Sequence, residues 1–278
     1  MKRALLIVPL VLLLGCSSSS SSTPTITVGP AKQYELVDRQ PAGDPTSGTP
    51  TTLGFTVRQP SGTPLTQFKT GAGPHTGIHM LIVKDDLSTI IHRHPPIQAN
   101  GHVQARIDFP TGGAYTVLAD VYPRAGQIPN FQLRYGLHVK GKAKPRPLPP
   151  FKATQVVDGY RITMLRKPNV RVARPAILRF TVEKPNGKPA PFQVWFGALA
   201  HAVFFHQGSL AYFHTHVCGP DTPGCTSILG RPSVKATSTK PGQIRAGILL
   251  PAAGAWRLFL QFKTDGKVIT APYTLRVH

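Results

Sequence analysis

Acidic side chains are scarce in this chain. Eleven Asp and Glu stand against 32 Lys and Arg among 278 residues, for a formal charge of +21. So few carboxylates argue against oxygen-ligated calcium or magnesium sites and against paired-carboxylate acid–base chemistry. Cysteine is nearly absent, with three residues in all. No Gly-x-Ser-x-Gly elbow and no phosphate loop occurs, so an enzyme is not expected. The basic residues are scattered, without a dense run or interleaved aromatics. Nucleic acid is therefore not an expected partner, although anionic polymers of a cell envelope remain one. Long apolar runs are missing too, apart from Ala4–Leu14, which falls short of the roughly 20 residues a membrane helix needs.

That one run is informative. It follows Lys2-Arg3 and ends in Leu13-Leu14-Gly15-Cys16, which resembles a bacterial lipobox, where the cysteine is lipidated and becomes the mature N-terminus. Residues 1–15 are expected to be a lipoprotein signal peptide, with an ordinary secretory signal as the alternative. Residues 16–24 are then the lipidated Cys16 and a serine-rich tether, Ser17–Ser22, too polar to bury apolar surface. The expected location is extracytoplasmic, held to the bacterial envelope by lipid. In such an oxidising compartment, Cys218 and Cys225 are expected to close a small disulfide loop. Thiolate metal ligation is the other reading, because Cys218 lies two residues after His216.

The rest of the chain repeats itself. Phe55-Thr56-Val57 before Pro60–Pro64 returns as Phe180-Thr181-Val182 before Pro185–Pro189. Gly113-Ala114-Tyr115 returns as Gly254-Ala255-Trp256, and Leu137-His138-Val139 as Leu275-Arg276-Val277. Apolar runs are short, rich in Val, Ile, Phe and Tyr, and separated by Gly, Pro and Asn. No segment keeps a 3.6-residue period over three turns. The expected fold is all-β, as two tandem immunoglobulin-like or cupredoxin-like β-sandwiches. They span residues 25–140 and 151–278, joined by a proline-rich extended linker at 141–150.

Within the repeat lies a histidine pattern. His79 precedes His92-Arg93-His94 by thirteen residues, and His201 precedes His214-Thr215-His216 by thirteen. Each set reads as a hairpin. If the first turns about Lys84–Ser88, His79 lies opposite His92, and His94 shares its face. His201 and His214 are the matching pair around Gln207–Ser209. Three imidazoles on each hairpin suit copper or zinc, with a fourth position open. One site per sandwich is expected. Met80 should point to the opposite face, and neither hairpin offers the cysteine of a type 1 copper site. Leu81, Val83 and Ile90, with Val203, Phe205 and Tyr212, share the histidine face and are expected in the sandwich core, so that the imidazoles cap its rim. His75 is a candidate fourth ligand. His206 is expected to be exposed at its turn, Asp85 and Asp86 to serve the first turn, and Asp120 and Gln261 to make polar contacts at equivalent positions. Hydrogen-bonded structural histidines, or a pH-sensitive hairpin, account for the pattern without metal.

Asp86-Leu87 with His92-Arg93-His94-Pro95, and Gly197–His201 with Gly208–His216, resemble the motifs of exported bacterial domains with a cupredoxin-like or immunoglobulin-like fold. The resemblance implies heavy-metal handling, often of copper. Val217 departs from it by standing where the motif has proline, and the Cys218–Cys225 loop follows. The expected function is a lipid-anchored metal-binding protein for storage, delivery or resistance. A non-metal adhesion or scaffold protein is the alternative.

Overall fold

A computed structural model describes residues 33–71, 73–124, 129–219 and 240–278. Cys16, the serine tether and Cys225 lie outside the described residues. Cys218 is buried and disulfide-bonded. The described residues form strands and no helix, and they belong to one compact unit beginning at Gln33.

The first sandwich holds β1 (Glu35–Gln40), β2 (Thr51–Arg58), β3 (Ile78–Lys84), β4 (Ile90–Arg93), β5 (His102–Ile107), β6 (Gly113–Val121) and β7 (Phe131–Val139). The second holds β8 (Thr154–Val157), β9 (Tyr160–Met164), β10 (Ala176–Glu183), β11 (Ala200–His206), β12 (Tyr212–Val217), β13 (Gln243–Ile248), β14 (Gly254–Thr264) and β15 (Lys267–Val277). Their sheets correspond strand for strand. The order β1-β2-β5 matches β9-β10-β13, to which β8 adds an edge, and β4-β3-β6-β7 matches β12-β11-β14-β15. The protein is therefore two tandem immunoglobulin-like sandwiches. Between them the chain from 142 to 150 carries no regular structure, as its prolines require.

The repeated blocks Leu137–Val139 and Leu275–Val277 are the ends of the longer closing strands β7 and β15. In β7 the sequence alternates over its whole length, and so does its burial.

Each sandwich has its own core. Met80 and Ile82 of β3 pack with Phe55, Val103 and Val117 in the first. Ala202 and Phe204 of β11 pack with Phe180, Ile244 and Leu258 in the second. Side chains alternate along a strand, so His79, Leu81 and Val83 leave β3 on the other face. That face is also buried. Leu81, Val83 and Leu118 meet Val203, Phe205 and Phe259 in a third core, with Ile90, Tyr212 and the linker's Leu148 packed around it. The histidine-bearing face was expected to be the inside of each sandwich. It is the outside of each, covered by the other copy. Duplicated apolar stripes on two outer faces bury one another as a homodimer's matching patches do.

Candidate metal centre

The two hairpins face each other across this third core, and their histidines meet at one end of it. The register explains which rings touch. Leu81 pairs with His92 and Met80 with Arg93 in the first hairpin, while His201 pairs with His216 and Val203 with His214 in the second. His79 therefore stands nearest His94, with ring centroids 3.9 Å apart and stacked. A turn symmetric about Lys84–Ser88 would instead set it opposite His92, two residues away. The turn causes the shift. Lys84 N–H donates to the Thr89 carbonyl at 3.0 Å, and Leu87 takes a positive φ of 59°. Asp86 accepts from the Ser88 amide at 2.9 Å. The centre of the turn thus moves by one residue, and the pairing by two. Leu210, with φ 52°, does the same in the second hairpin. Because two residues is one strand period, all six histidines keep their face.

The six rings form one cluster, not one per sandwich. His79 lies 5.3 Å from His214 and 5.6 Å from His216 by ring centroid, and His92 lies 5.0 Å from His201. His75, on the approach to β3, crosses over as well, with its Nε2 3.1 Å from His216 Nδ1. Three sets bring their ligand atoms within 4.8 Å of one another: His79–His92–His94, His79–His214–His216 and His92–His201–His214. The first is the set predicted for the first hairpin. The second hairpin's own three do not make such a set, and its rings combine with those of the first copy instead.

Hydrogen-bond partners decide which nitrogens are free for a metal. His79 Nε2–H donates to the Pro74 carbonyl at 2.7 Å, and His201 Nε2–H to the Trp195 carbonyl at 2.9 Å. A carbonyl can only accept, so Nδ1 of both rings bears a lone pair. His214 Nε2–H then donates to His201 Nδ1 at 3.2 Å, which leaves a lone pair on His214 Nδ1. Gln261 donates its amide to Thr270 Oγ1 at 3.0 Å and turns its oxygen to His92 Nδ1–H at 3.1 Å. His92 Nε2 is then an acceptor, reached by His94 Nε2–H at 3.1 Å. Within the cluster, three buried ring nitrogens have no hydrogen-bond partner: His79 Nδ1, His214 Nδ1 and His216 Nε2. They belong to the three residues of one candidate set. A buried polar atom without a partner is costly, and a metal ion would satisfy all three. Nitrogens at about 2.0–2.1 Å around a tetrahedral ion lie about 3.3 Å apart, and each set's ligand atoms already gather within 4.8 Å.

Burial keeps these imidazoles neutral, the form that ligates. His79 and His201 are 0% exposed. Desolvation pushes the His79, His92, His214 and His216 pKa values well below 6.5, and neighbouring imidazoles push further. The same causes take His94 to about 2, while burial takes His201 to about 4.

Several neighbours were not foreseen. Phe196 stacks on His94 with centroids 4.0 Å apart, and Trp195 sets its edge against His92 and His201. Gly197 has a φ of 74°, and a Cβ there would lie 2.3 Å from the Gly73 carbonyl carbon, so the loops before β3 and β11 touch backbone to backbone. The signal for these residues was their place: Pro74-His75 and Phe196-Gly197 occupy matching positions before His79 and His201. Asp120 and Gln261 do make polar contacts: Gln261 bonds His92 of the cluster, while Asp120 bonds Gln132, Tyr122 and Tyr212 and stands 4.0 Å from His79. His206 is half-buried and not exposed, since its ring bonds Ser209 Oγ and the Ala253 carbonyl at 2.8 Å each. Asp85 and Asp86 serve the turn, Asp85 accepting from Thr116 Oγ1. His102 bonds Thr56, and His138 bonds Asp44, both away from the centre.

Residues 154–278 match the model of a family described as a domain of unknown function, DUF8832. No curated protein matches the chain. Among solved structures, it is similar to invasin, a bacterial integrin-binding protein, at 19% identity, covering 88% of this chain and 38% of that one with a TM-score of 0.23. It is also similar to a tandem repeat of a large adhesion protein, at 12% identity, 84% and 46% coverage and a TM-score of 0.26. A membrane-anchored protein from Corynebacterium diphtheriae gives 10% identity, 88% and 57% coverage and a TM-score of 0.25. The chain spans less than half the length of the first two.

Proposed function

We propose that this protein binds a transition metal ion, copper or zinc, at one composite histidine centre between its two sandwiches. The observation that carries the reading is the set of three partnerless buried nitrogens, contributed by His79, His214 and His216 from both copies. Neutral imidazoles on rigid strands, with the far nitrogen of His79 held by the Pro74 carbonyl and those of His214 and His216 by His201 and His75, are a metal-ready arrangement. The lipobox-like Leu13–Cys16 segment and the serine run support an activity outside the cytoplasm, on a lipid anchor. Metal storage, delivery or resistance are the roles that fit such a site. The basic surface suits contact with anionic envelope polymers.

Calorimetric titration of the purified protein with Cu²⁺ and Zn²⁺, beside a variant with His79, His92, His94, His201, His214 and His216 all changed to Ala, tests this. Binding by the wild type that the folded variant lacks is the expected result. Equal heats from the two proteins would make the histidines structural and favour the adhesion or scaffold reading. His79→Ala alone serves if the sixfold variant does not fold.

A further inference from the structure

The two halves of the cluster differ in charge. Asp120 lies across from His79 on β6, and Gln261 lies across from His201 at the matching position on β14. Asp120 is 2% exposed. Its Oδ1 accepts from Gln132 Nε2 at 2.8 Å, and its Oδ2 from Tyr122 OH at 2.9 Å and Tyr212 OH at 3.2 Å. Burial raises the Asp120 pKa above the usual carboxylate value, and the three donors, which bond the ionised form, oppose that rise. Oδ2 stands 4.0 Å from His79 Nδ1, itself one of the partnerless nitrogens.

Imidazoles bring no charge to the ion they bind. A divalent cation among buried neutral ligands keeps its charge uncompensated, at a cost that a nearby carboxylate offsets. A monovalent ion needs that carboxylate far less. Gln261 orients His92 but supplies no charge. Beside Asp120, a cleft of about 570 Å³ is lined by Lys69, His75, Tyr122, Tyr212 and His214 among others. It reaches His214 of the same candidate set, so an ion there has a route to solvent.

We infer that the metal seated at His79, His214 and His216 is divalent, that Asp120 is its counter-charge and charge-selecting residue, and that it exchanges through this cleft. The inference rests on the metal-binding reading and assigns the ion's charge, seat and path.

The test titrates the full-length protein with Zn²⁺ and, separately, with Ag⁺. Each ion is compared only with itself across variants, which removes its own preference for imidazole. Asp120→Asn is expected to weaken Zn²⁺ at least tenfold and to leave Ag⁺ within about threefold, with Asp120→Glu recovering most of the Zn²⁺ loss. Gln261→Glu, which puts a carboxylate in the neutral half, is expected to tighten Zn²⁺ or add a second equivalent. It also carries the test if Asp120→Asn does not fold. Wild-type Zn²⁺ affinity in Asp120→Asn, or equal losses for both ions, would overturn the charge assignment while leaving the metal centre standing. If Asp120→Asn is unfolded, an unchanged Zn²⁺ titration in Gln261→Glu overturns it. A wild-type protein that binds neither ion would remove the metal reading and this inference together.

Discussion

The two hairpins carry the same histidine pattern in different surroundings. Their apolar contributions remain matched: Leu81, Val83 and Leu118 against Val203, Phe205 and Phe259. Their histidines are matched as well. The surroundings have diverged, with Asp120 against Gln261, Ile90 against Tyr212, and Pro74-His75 against Phe196-Gly197. Shared residues hold the copies together, and the unshared ones give the cluster a charged, open side and a neutral side capped by Phe196. Docking is what joins the histidines of the two hairpins in one cluster, so the informative experiments separate docking from the folding of each sandwich.

Acid is expected to have the largest effect. A buried histidine with a depressed folded pKa binds a proton in the unfolded chain before it does so in the folded one. Stability is thus intact above about pH 6.5 and is lost as pH falls from there toward the folded value. For His201, whose folded pKa is about 4, this amounts to about 3 kcal/mol across that window. The other rings shift in the same direction, and their sum competes with a whole domain's stability of about 5–15 kcal/mol. Denaturant midpoints measured from pH 7.5 to 4.5 should fall steeply below 6.5. A flat profile would mean that the rings are not buried together.

Two neighbouring residues separate the two kinds of core. Met80 faces the first sandwich's own core, and Leu81 faces the other copy. Truncating either to Ala should cost about 2–5 kcal/mol, but in different places. Leu81→Ala should loosen docking, raise the radius of gyration in solution scattering and weaken metal binding. Met80→Ala should lower the first sandwich's unfolding midpoint while scattering stays native. Identical behaviour of the two variants would mean the sandwiches are not separable units.

That pair also marks the limit of what is legible in sequence. Period-two alternation assigns His79, Leu81 and Val83 to one face and Met80 and Ile82 to the other, and the repeat blocks reveal two sandwiches. Alternation does not say which face is inside. Both faces of β3 are apolar because both are covered, and only the tertiary arrangement distinguishes a sandwich core from a docking core. The same gap made one histidine centre read as two. The register slipped for a local reason, since nothing in Asp86-Leu87 announces that leucine would take a left-handed conformation. The face survived that error because the slip was an even number of residues.

Gly197→Ala tests the loop contact. The substitution combines an unfavourable φ of 74° with a Cβ 2.3 Å from the Gly73 carbonyl carbon, and should cost about 3 kcal/mol. Gly187, with φ 77° and open space around it, carries the conformational part alone. The excess loss in Gly197→Ala over Gly187→Ala, read by thermal melting, measures the contact between the copies. Equal losses would place that contact outside the energetics of docking.

Gln261→Leu should have the smallest effect and the most specific one. It leaves His92 Nδ1–H buried without its acceptor, at about 1–3 kcal/mol, unless the ring changes tautomer. If it does, Nε2 carries the proton and no longer accepts from His94, so either His94 moves its own proton to Nδ1 and accepts, or the two rings separate. Nitrogen-15 spectra of the histidine side chains distinguish these cases. In the wild type His92 should be protonated at Nδ1, and in Gln261→Leu either the Nε2 form appears or stability drops with the tautomer unchanged. A variant with neither change would show that Gln261 does not hold His92. The neutral half of the cluster would then be positioned by Trp195 and Phe196 alone, and the contrast with Asp120 would reduce to charge.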